Sequence, residues 1–144
     1  EVILNIDIRI STYYPDAETD QSDRIHQAAK GTLYTVGDSY IIEYDSNIFN
    51  EQEMEHNRVT IHPDGVCLLR SGRDMQTKID YIKGQTTSFR YALPYGSIDC
   101  RVDTKEIESY INEGFGGHLR IQYDLYMNDA LSGHHQLKML FARQ

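Results

Sequence analysis

Residues 89–102 read FRYALPYGSIDCRV, and apolar and polar side chains alternate there on both sides of a Pro-Tyr-Gly centre. This period of two is typical of a β-strand, and a glycine at the centre supplies the positive φ that a tight turn needs. A two-residue Tyr95-Gly96 loop predicts one shared face for three pairs: Leu93 with Ile98, Tyr91 with Cys100 and Phe89 with Val102. The stretch is therefore predicted to be a hairpin rather than a site.

The same alternation recurs along the chain, at 2–10, 25–33, 40–44, 59–61, 66–68, 75–81, 89–93, 98–102, 119–125 and 137–141. Further two-residue loops are predicted at Gly37-Asp38, Asp64-Gly65 and Gly72-Arg73, and a β-bulge near Asp103–Lys105. Strands joined in order by tight turns form an antiparallel meander, and closure into a barrel removes its exposed edges. We predict an all-β, antiparallel barrel of about eight to ten strands in a single domain, residues 1–144.

Two of these loops also assign a face to Arg70. They predict the pairs Ile61 with Leu68, Val59 with Arg70, Arg70 with Met75, Leu68 with Thr77 and Val66 with Ile79. A three-residue loop at Pro63 would flip the first of the two hairpins. The following strand decides, because its polar face (Gln76, Lys78 and Asp80) is plain, and Arg70 is predicted to point inward.

This register gives the predicted barrel an unusual interior. Four tyrosines share the inward face with Arg70: Tyr44, Tyr81, Tyr91 and Tyr123. A three-residue loop at Asn128-Asp129-Ala130 would pair Ile121 with Leu137 and Tyr123 with His135, which adds a histidine. A buried guanidinium needs acceptors, which tyrosine hydroxyls or a bound anion can supply. Two alternatives stay open, because small barrels are often filled by their own side chains or enclose a small-ligand cavity.

The composition excludes several classes of partner. The chain carries 22 acidic and 14 basic residues, a formal charge of −8, which argues against nucleic acid and anionic membranes. No apolar run approaches the roughly 18 residues of a membrane span, so we expect a cytoplasmic protein. The only two cysteines, Cys67 and Cys100, are predicted to stay reduced and to face opposite sides of the sheet.

No residue pattern indicates catalysis, a metal or a cofactor. Of the six histidines, the adjacent His134 and His135 point to opposite faces of a strand and cannot chelate together. There is no GxSxG motif, and a buried inert thiol is a commoner role for Cys100 than a nucleophile beside His135. The polar segments 14–23 and 46–57 are predicted to be connections; the second could hold a helical turn or extend its flanking strands.

Several stretches resemble the YwiB family of uncharacterised bacterial proteins: GTLY (31–34), YIIEY (40–44), LLRSG (68–72), YALPYGSIDCRVDT (91–104) and LRIQYDLYMND (119–129). The most specific pieces are Arg70-x-Gly72, Tyr95-Gly96 and Val102-Asp103-Thr104. The resemblance implies a calycin-like (lipocalin-like) β-barrel. It implies no activity, cofactor or site residue, because the family has no assigned function.

We expect a non-enzymatic cytoplasmic barrel that binds a small polar or anionic molecule near Arg70. The candidate ligand-binding residues are Arg70, Tyr44, Tyr81, Tyr91, Tyr123 and His135. The alternative is a structural or protein-interaction module with a filled core, which meets a protein partner or further copies of itself through segment 14–23 or 46–57. An enzyme is the third alternative.

Overall fold

The structure, a computed structural model, describes residues 2–15, 22–46, 54–72, 75–93 and 95–144. Alternating sequences with β-branched and aromatic residues form strands throughout these ranges, and no helix occurs in them. The ten strands are β1 (Leu4–Pro15), β2 (Ser22–Val36), β3 (Ser39–Ser46), β4 (Glu55–His62), β5 (Gly65–Ser71), β6 (Gln76–Tyr81), β7 (Thr86–Leu93), β8 (Gly96–Asn112), β9 (Gly116–Met127) and β10 (Ala130–Arg143).

All ten strands belong to one antiparallel sheet with the order β6-β5-β4-β3-β2-β1-β10-β9-β8-β7. Strands that follow one another in the sequence are therefore paired, except β6 and β7, and β1 pairs in addition with β10. The sheet curls until its two outermost strands, β6 and β7, approach along a seam. The Gly84 amide donates to the Thr104 carbonyl at 2.8 Å and the Thr104 amide to the Gln85 carbonyl at 3.1 Å, which holds the β6–β7 connection against β8. Across the seam itself, the Thr87 hydroxyl donates to the Asp80 carbonyl. The predicted all-β antiparallel meander is confirmed as a nearly closed barrel.

The hairpin registers confirm some predicted turns and correct others. At Gly37-Asp38 the predicted pairs form, with Leu33 opposite Ile42 and Gly31 opposite Tyr44. In three other hairpins the predicted pairs are wrong by two residues. The observed pairs are Ile61 with Val66, Val59 with Leu68, Arg70 with Thr77, Leu68 with Ile79, Val66 with Tyr81, Leu93 with Gly96, Tyr91 with Ile98, Phe89 with Cys100 and Thr87 with Val102.

The turn between β4 and β5 shows the reason for the shift of two residues. His62 pairs directly with Gly65, so Pro63 and Asp64 form the turn and Gly65 is already part of the strand. Proline presets the backbone angle that the first turn position requires. Because side chains alternate with period two, a shift of two residues leaves every side chain on its predicted face. The loop predicted at Gly72-Arg73 differs in length, because Ser71 pairs with Gln76 and four residues connect the two strands. Of these four, residues 73–74 lie outside the described residues.

The last hairpin turns differently from the prediction. Asn128 and Asp129 have left-handed backbone angles (φ 49° and 66°) and form a two-residue turn between Met127 and Ala130, not a three-residue loop. A register shift between Leu131 and Gly133 compensates, so the predicted pairs Tyr123 with His135 and Ile121 with Leu137 do form. The predicted bulge also forms, with a register shift between Thr104 and Glu106.

The core is made by the inward faces of the strands. Its fully buried apolar side chains are Ile6, Ile8, Leu33, Ile42, Val59, Val66, Tyr81, Val102, Leu119, Ile121 and Met139. Cys100 is buried and Cys67 half-buried, and both are free thiols. Of the two predicted connections, β1 and β2 extend into 14–23 and β4 begins at Glu55, while 16–21 and 47–53 lie outside the described residues. The described ranges contain no helix long and apolar enough to cross a membrane.

Candidate functional site

The barrel encloses a cavity of about 80 Å³ between β1–β6 and β9–β10. Its apolar lining consists of Ile10, Val59, Val66, Leu68, Leu119, Ile121, Leu137 and Met139. Five polar or aromatic polar residues complete it: Thr12, Gln27, Tyr44, Arg70 and Tyr81. Three of the six residues predicted from sequence, Arg70, Tyr44 and Tyr81, therefore lie together on one interior space.

Arg70 reaches the interior from β5 and is held there by β4. Its Nε atom donates to Oδ1 of Asn57 at 3.1 Å and lies 3.3 Å from Oε2 of Glu55. Both side chains of the ion pair are largely buried, with 28% of Arg70 and 20% of Glu55 exposed. The guanidinium therefore has protein acceptors, as a buried charge requires, and its carboxylate partner leaves the pair without net charge.

Asn57 is the centre of this group, which we call the Arg70 cluster: Arg70, Glu55, Asn57 and Ser46. Asn57 is fully buried, and Ser46 is 6% exposed. The Asn57 amide donates to Oγ of Ser46 at 3.1 Å and to the carbonyl of Tyr44 at 3.4 Å, while its oxygen accepts from Arg70. Because the amide uses both its donor and its acceptor side, it fixes the rotamer of the arginine beside it.

The two tyrosines that line the cavity, Tyr44 and Tyr81, are uncharged at neutral pH. Burial raises the pKa of Tyr44 to about 12, and the nearby Arg70 charge opposes this only in part. Burial, and then Tyr123, raise the pKa of Tyr81 well above its ordinary value. Each phenol can therefore donate a hydrogen bond inside the barrel, but neither is a base at neutral pH.

The other three predicted residues divide between a ring stack and a separate position. Tyr123 stacks on His135 with ring centroids 5.3 Å apart and planes 8° apart, and its centroid lies 5.1 Å from that of Tyr81. Burial lowers the pKa of His135, so this ring is uncharged at neutral pH. Tyr91 stands on β7 opposite Ile98 and is not among the cavity-lining residues. The stack fills the interior beside the cavity.

Glu55, Asn57, Ser46, Thr12 and Gln27 were not predicted as site residues. The sequence did indicate an inward position for two of them, because Glu55 and Asn57 continue the period of two that runs through Val59 and Ile61. They were not assigned to the interior because segment 46–57 was interpreted as a connection. Thr12 and Gln27 likewise fall on the inward face in step with Ile10, but nothing in the sequence shows that they line the same cavity as Arg70.

The geometry gives no support to nucleophilic or metal chemistry in the described part of the chain. The Cys100 thiol lies 3.7 Å from the carbonyl of Ile98, and burial raises its pKa, whereas an activated cysteine needs a lowered one. Among the described residues, no three His, Cys, Asp or Glu side chains are grouped so that they could hold a metal ion.

Comparison with known proteins gives a family and a fold. No curated protein matches the sequence. The crystal structure of the ywiB protein from Bacillus subtilis matches with a TM-score of 0.85 and 17% identity, over 99% of this chain and 93% of that chain. At that identity the likeness shows the fold alone, and it confirms the resemblance that the sequence indicated. A family model described as a domain of unknown function, DUF1934, matches residues 8–139, so the chain belongs to the DUF1934 family.

Proposed function

We propose that this chain is a non-enzymatic, calycin-like binding protein of the cytoplasm, which takes a small polar molecule into the cavity beside Arg70. The observation that carries the proposal is an interior space lined by apolar side chains together with Tyr44, Arg70 and Gln27. Apolar walls with a few convergent polar groups are the usual composition of a small-molecule site.

The charge of the Arg70 cluster narrows the ligand class. Because Glu55 neutralises Arg70, a free anion in the cavity would be attracted to the guanidinium only weakly. A molecule with both hydrogen-bond donors and acceptors, such as an amide or a zwitterion, fits the guanidinium, hydroxyl and amide groups of the lining better than a simple anion does. A cavity of about 80 Å³ has room for only a few water-sized groups, which favours a small ligand or the polar end of a larger one.

A thermal-shift titration tests the proposal with four small probes: acetamide, glycine, acetate and methylammonium. We expect acetamide and glycine to raise the melting temperature with saturation, because a ligand that binds only the folded state stabilises it by mass action. Acetate and methylammonium should do so less. Arg70→Met and Tyr44→Phe should lose the response, and Arg58→Met, an exposed arginine on the outside of the barrel, should keep it.

A second candidate function is the interaction module with a filled core, and the Tyr81–Tyr123–His135 stack supports it, because these rings occupy interior space themselves. If no probe shifts the melting temperature of the wild type, or if the shifts are the same in Arg70→Met, the binding proposal is wrong and the interaction module takes its place.

A further inference from the structure

The outside of the barrel carries a surface of three cationic side chains and one histidine across four neighbouring strands. We call it the basic face: His26 on β2, Arg9 on β1, Lys138 on β10 and Arg120 on β9. Ser11 lies opposite His26 on one side and Lys138 on the other, and Lys138 lies opposite Arg120. Arg9 lies on the same face of β1, two residues before Ser11. The pairing therefore gathers residues from both ends of the chain into one surface.

Within the described residues, two cations of this surface have no carboxylate partner. Elsewhere, most exposed cations are paired one by one: Arg58 with Glu43, Lys83 with Glu106, Arg90 with Asp99, Arg101 with Asp129 and Lys105 with Asp103, whereas Lys78 and Arg143 have no such pair among the described residues. Within the basic face, Arg120 binds Glu108 at 2.8 Å. Across the described residues, no ion pair joins Arg9 or Lys138 to a carboxylate. The nearest acid on β1, Asp7, is engaged by Lys30 and Gln144.

This arrangement is unfavourable for the isolated protein. Lys138 and Arg120 are like charges directly opposite each other on paired strands, which is a destabilising combination. The chain has 22 acidic residues, so a shortage of carboxylates does not explain why Arg9 and Lys138 lack partners in the described part of the chain. Arg9 and Lys138, cations on neighbouring strands without a carboxylate partner among the described residues, are therefore expected to meet counter-charges on another molecule.

The shape of the surface adds a groove. A concave space of about 600 Å³ lies along β2, β1 and β10, and its members include Arg9, Tyr13, His26, Lys138 and Leu140. Two small side chains, Ser11 and Ala28, stand between the long ones and leave the depression. The groove therefore combines cations with apolar and aromatic contact area.

We propose that the basic face is a docking site for an extended, acidic segment of a partner protein. From β2 to β9 the face spans three strand spacings, about 14 Å, which is wider than a single carboxylate or phosphate. In an extended peptide that lies across the strands, the side chains on one side recur about every 7 Å, so two or three alternate acidic residues fit within about 14 Å. The long Lys and Arg side chains take up the difference from the strand spacing of about 4.8 Å. This site is separate from the interior cavity and does not depend on the proposed ligand binding.

Nucleic acid is the less suitable polyanion for this face. A duplex would bring phosphates close to the acidic remainder of a chain whose formal charge is −8, and repulsion there would oppose binding. A short acidic segment touches the basic face alone. The two polyanions make different predictions and can be compared directly.

Fluorescence anisotropy tests the proposal with a labelled peptide of alternating Glu and Ser, about eight residues long. We expect saturable binding in low-salt buffer that weakens as salt is added. The Arg9→Glu/Lys138→Glu variant should bind at least about tenfold more weakly. The matched control Lys78→Glu/Arg90→Glu changes the net charge equally on β6 and β7 and should bind as the wild type does.

Several outcomes would overturn the inference. They are the absence of peptide binding to the wild type, an equal loss in both double variants, and preferential binding of a DNA duplex or of vesicles that contain phosphatidylglycerol. Circular dichroism and the melting temperature establish that each variant is folded. If Arg9→Glu/Lys138→Glu does not fold, the neutral variant Arg9→Gln/Lys138→Gln replaces it, with the same loss of binding expected.

Discussion

Arg70 illustrates how a single side chain can be charged inside a small barrel. Its Nε atom bonds to Asn57 and faces Glu55, both on the next strand, so the cost of removing the guanidinium from water is offset by a local partner. Asn57 is in turn held by Ser46 and by the backbone of Tyr44. Loss of one member therefore leaves the others with unmet hydrogen-bonding groups.

Arg70→Met is expected to lower the free energy of unfolding by about 1–3 kcal/mol, because Asn57 loses a buried donor and Glu55 loses its counter-charge. Urea denaturation measures the change. The double variant Arg70→Met/Glu55→Gln should recover part of the loss, since the carboxylate is then no longer left without a counter-charge. Arg58→Met, which breaks only an exposed pair with Glu43, is the control and should have a small effect. A neutral result for Arg70→Met would show that the Arg70 cluster contributes little to stability.

His56 makes a pH-dependent contribution on the outside of the same strand. Its ring nitrogens lie 2.8 Å from Asp45 and 3.1 Å from Glu43, and these hydrogen bonds raise its pKa above the ordinary 6.5. The resulting stabilisation is fully present below pH 6.5 and is lost as the pH rises through the folded-state pKa. His56→Gln should therefore cost more at pH 5.5 than at pH 8.5.

The side chain of His56 is about half exposed, so screening by solvent keeps the effect below about 1 kcal/mol. Urea unfolding of wild type and variant at both pH values gives the difference. His62→Gln on the same strand is the control, because no described carboxylate pairs with it. An equal cost of His56→Gln at both pH values would contradict the prediction.

How far the site could be predicted follows from the same residues. The period of two, together with the turns, assigned Arg70, Tyr44 and Tyr81 to the interior correctly. It could not show that Tyr91 lies away from the cavity or that Glu55 neutralises Arg70. Alternation specifies a face, whereas contacts across a barrel depend on its curvature and on how far each strand is shifted along its neighbour.

At the scale of elements, the hairpins show which turn signals are reliable. Gly37-Asp38 forms the predicted turn, and Gly37 has a left-handed φ of 61°. Gly65 was predicted to serve the same purpose, but it lies in β5. It is needed there because a Cβ at this position would overlap the backbone carbonyl oxygen of Tyr81 on β6. The sequence shows a glycine in both places, and only the packing distinguishes a turn from a close approach.

Gly65→Ala is therefore expected to destabilise the protein by about 1–3 kcal/mol, because the backbone of β5 or β6 must move to admit the methyl group. Gly72→Ala is the matched control at the other end of β5, where the nearest atoms would lie 3.8 Å from the new Cβ. It should be close to neutral. Thermal unfolding of both variants measures the difference, and equal melting temperatures would contradict the steric explanation.

At the scale of the whole molecule, the barrel separates two environments by one layer of sheet. Cys100 stands on the inner face of β8 and is 6% exposed, whereas Cys67 pairs with Thr60 and Asp80 and is half-buried. Burial raises the pKa of both thiols, so access to the reagent should control the difference in their rates.

We expect Cys67 to react with a thiol reagent such as dithionitrobenzoate faster than Cys100 does in the folded protein. The single variants Cys67→Ser and Cys100→Ser assign the two kinetic phases. In denaturant both thiols should react at similar rates, which serves as the control. Faster reaction of Cys100 in the folded protein would mean that the interior is open to solvent near β8.

The strand order makes the barrel suitable for circular permutation. Read from β7, the sheet runs through β8, β9 and β10 and then continues from β1 to β6 without a break. The ends of the described chain meet, since the Gln144 amide donates to the Asn5 carbonyl at 3.0 Å. A circular permutant with a short linker there, opened at the Lys83-Gly84 turn, would pair every strand only with its sequence neighbour. Because such local contacts speed folding, this permutant should refold faster than the natural chain in stopped-flow experiments while keeping the same barrel.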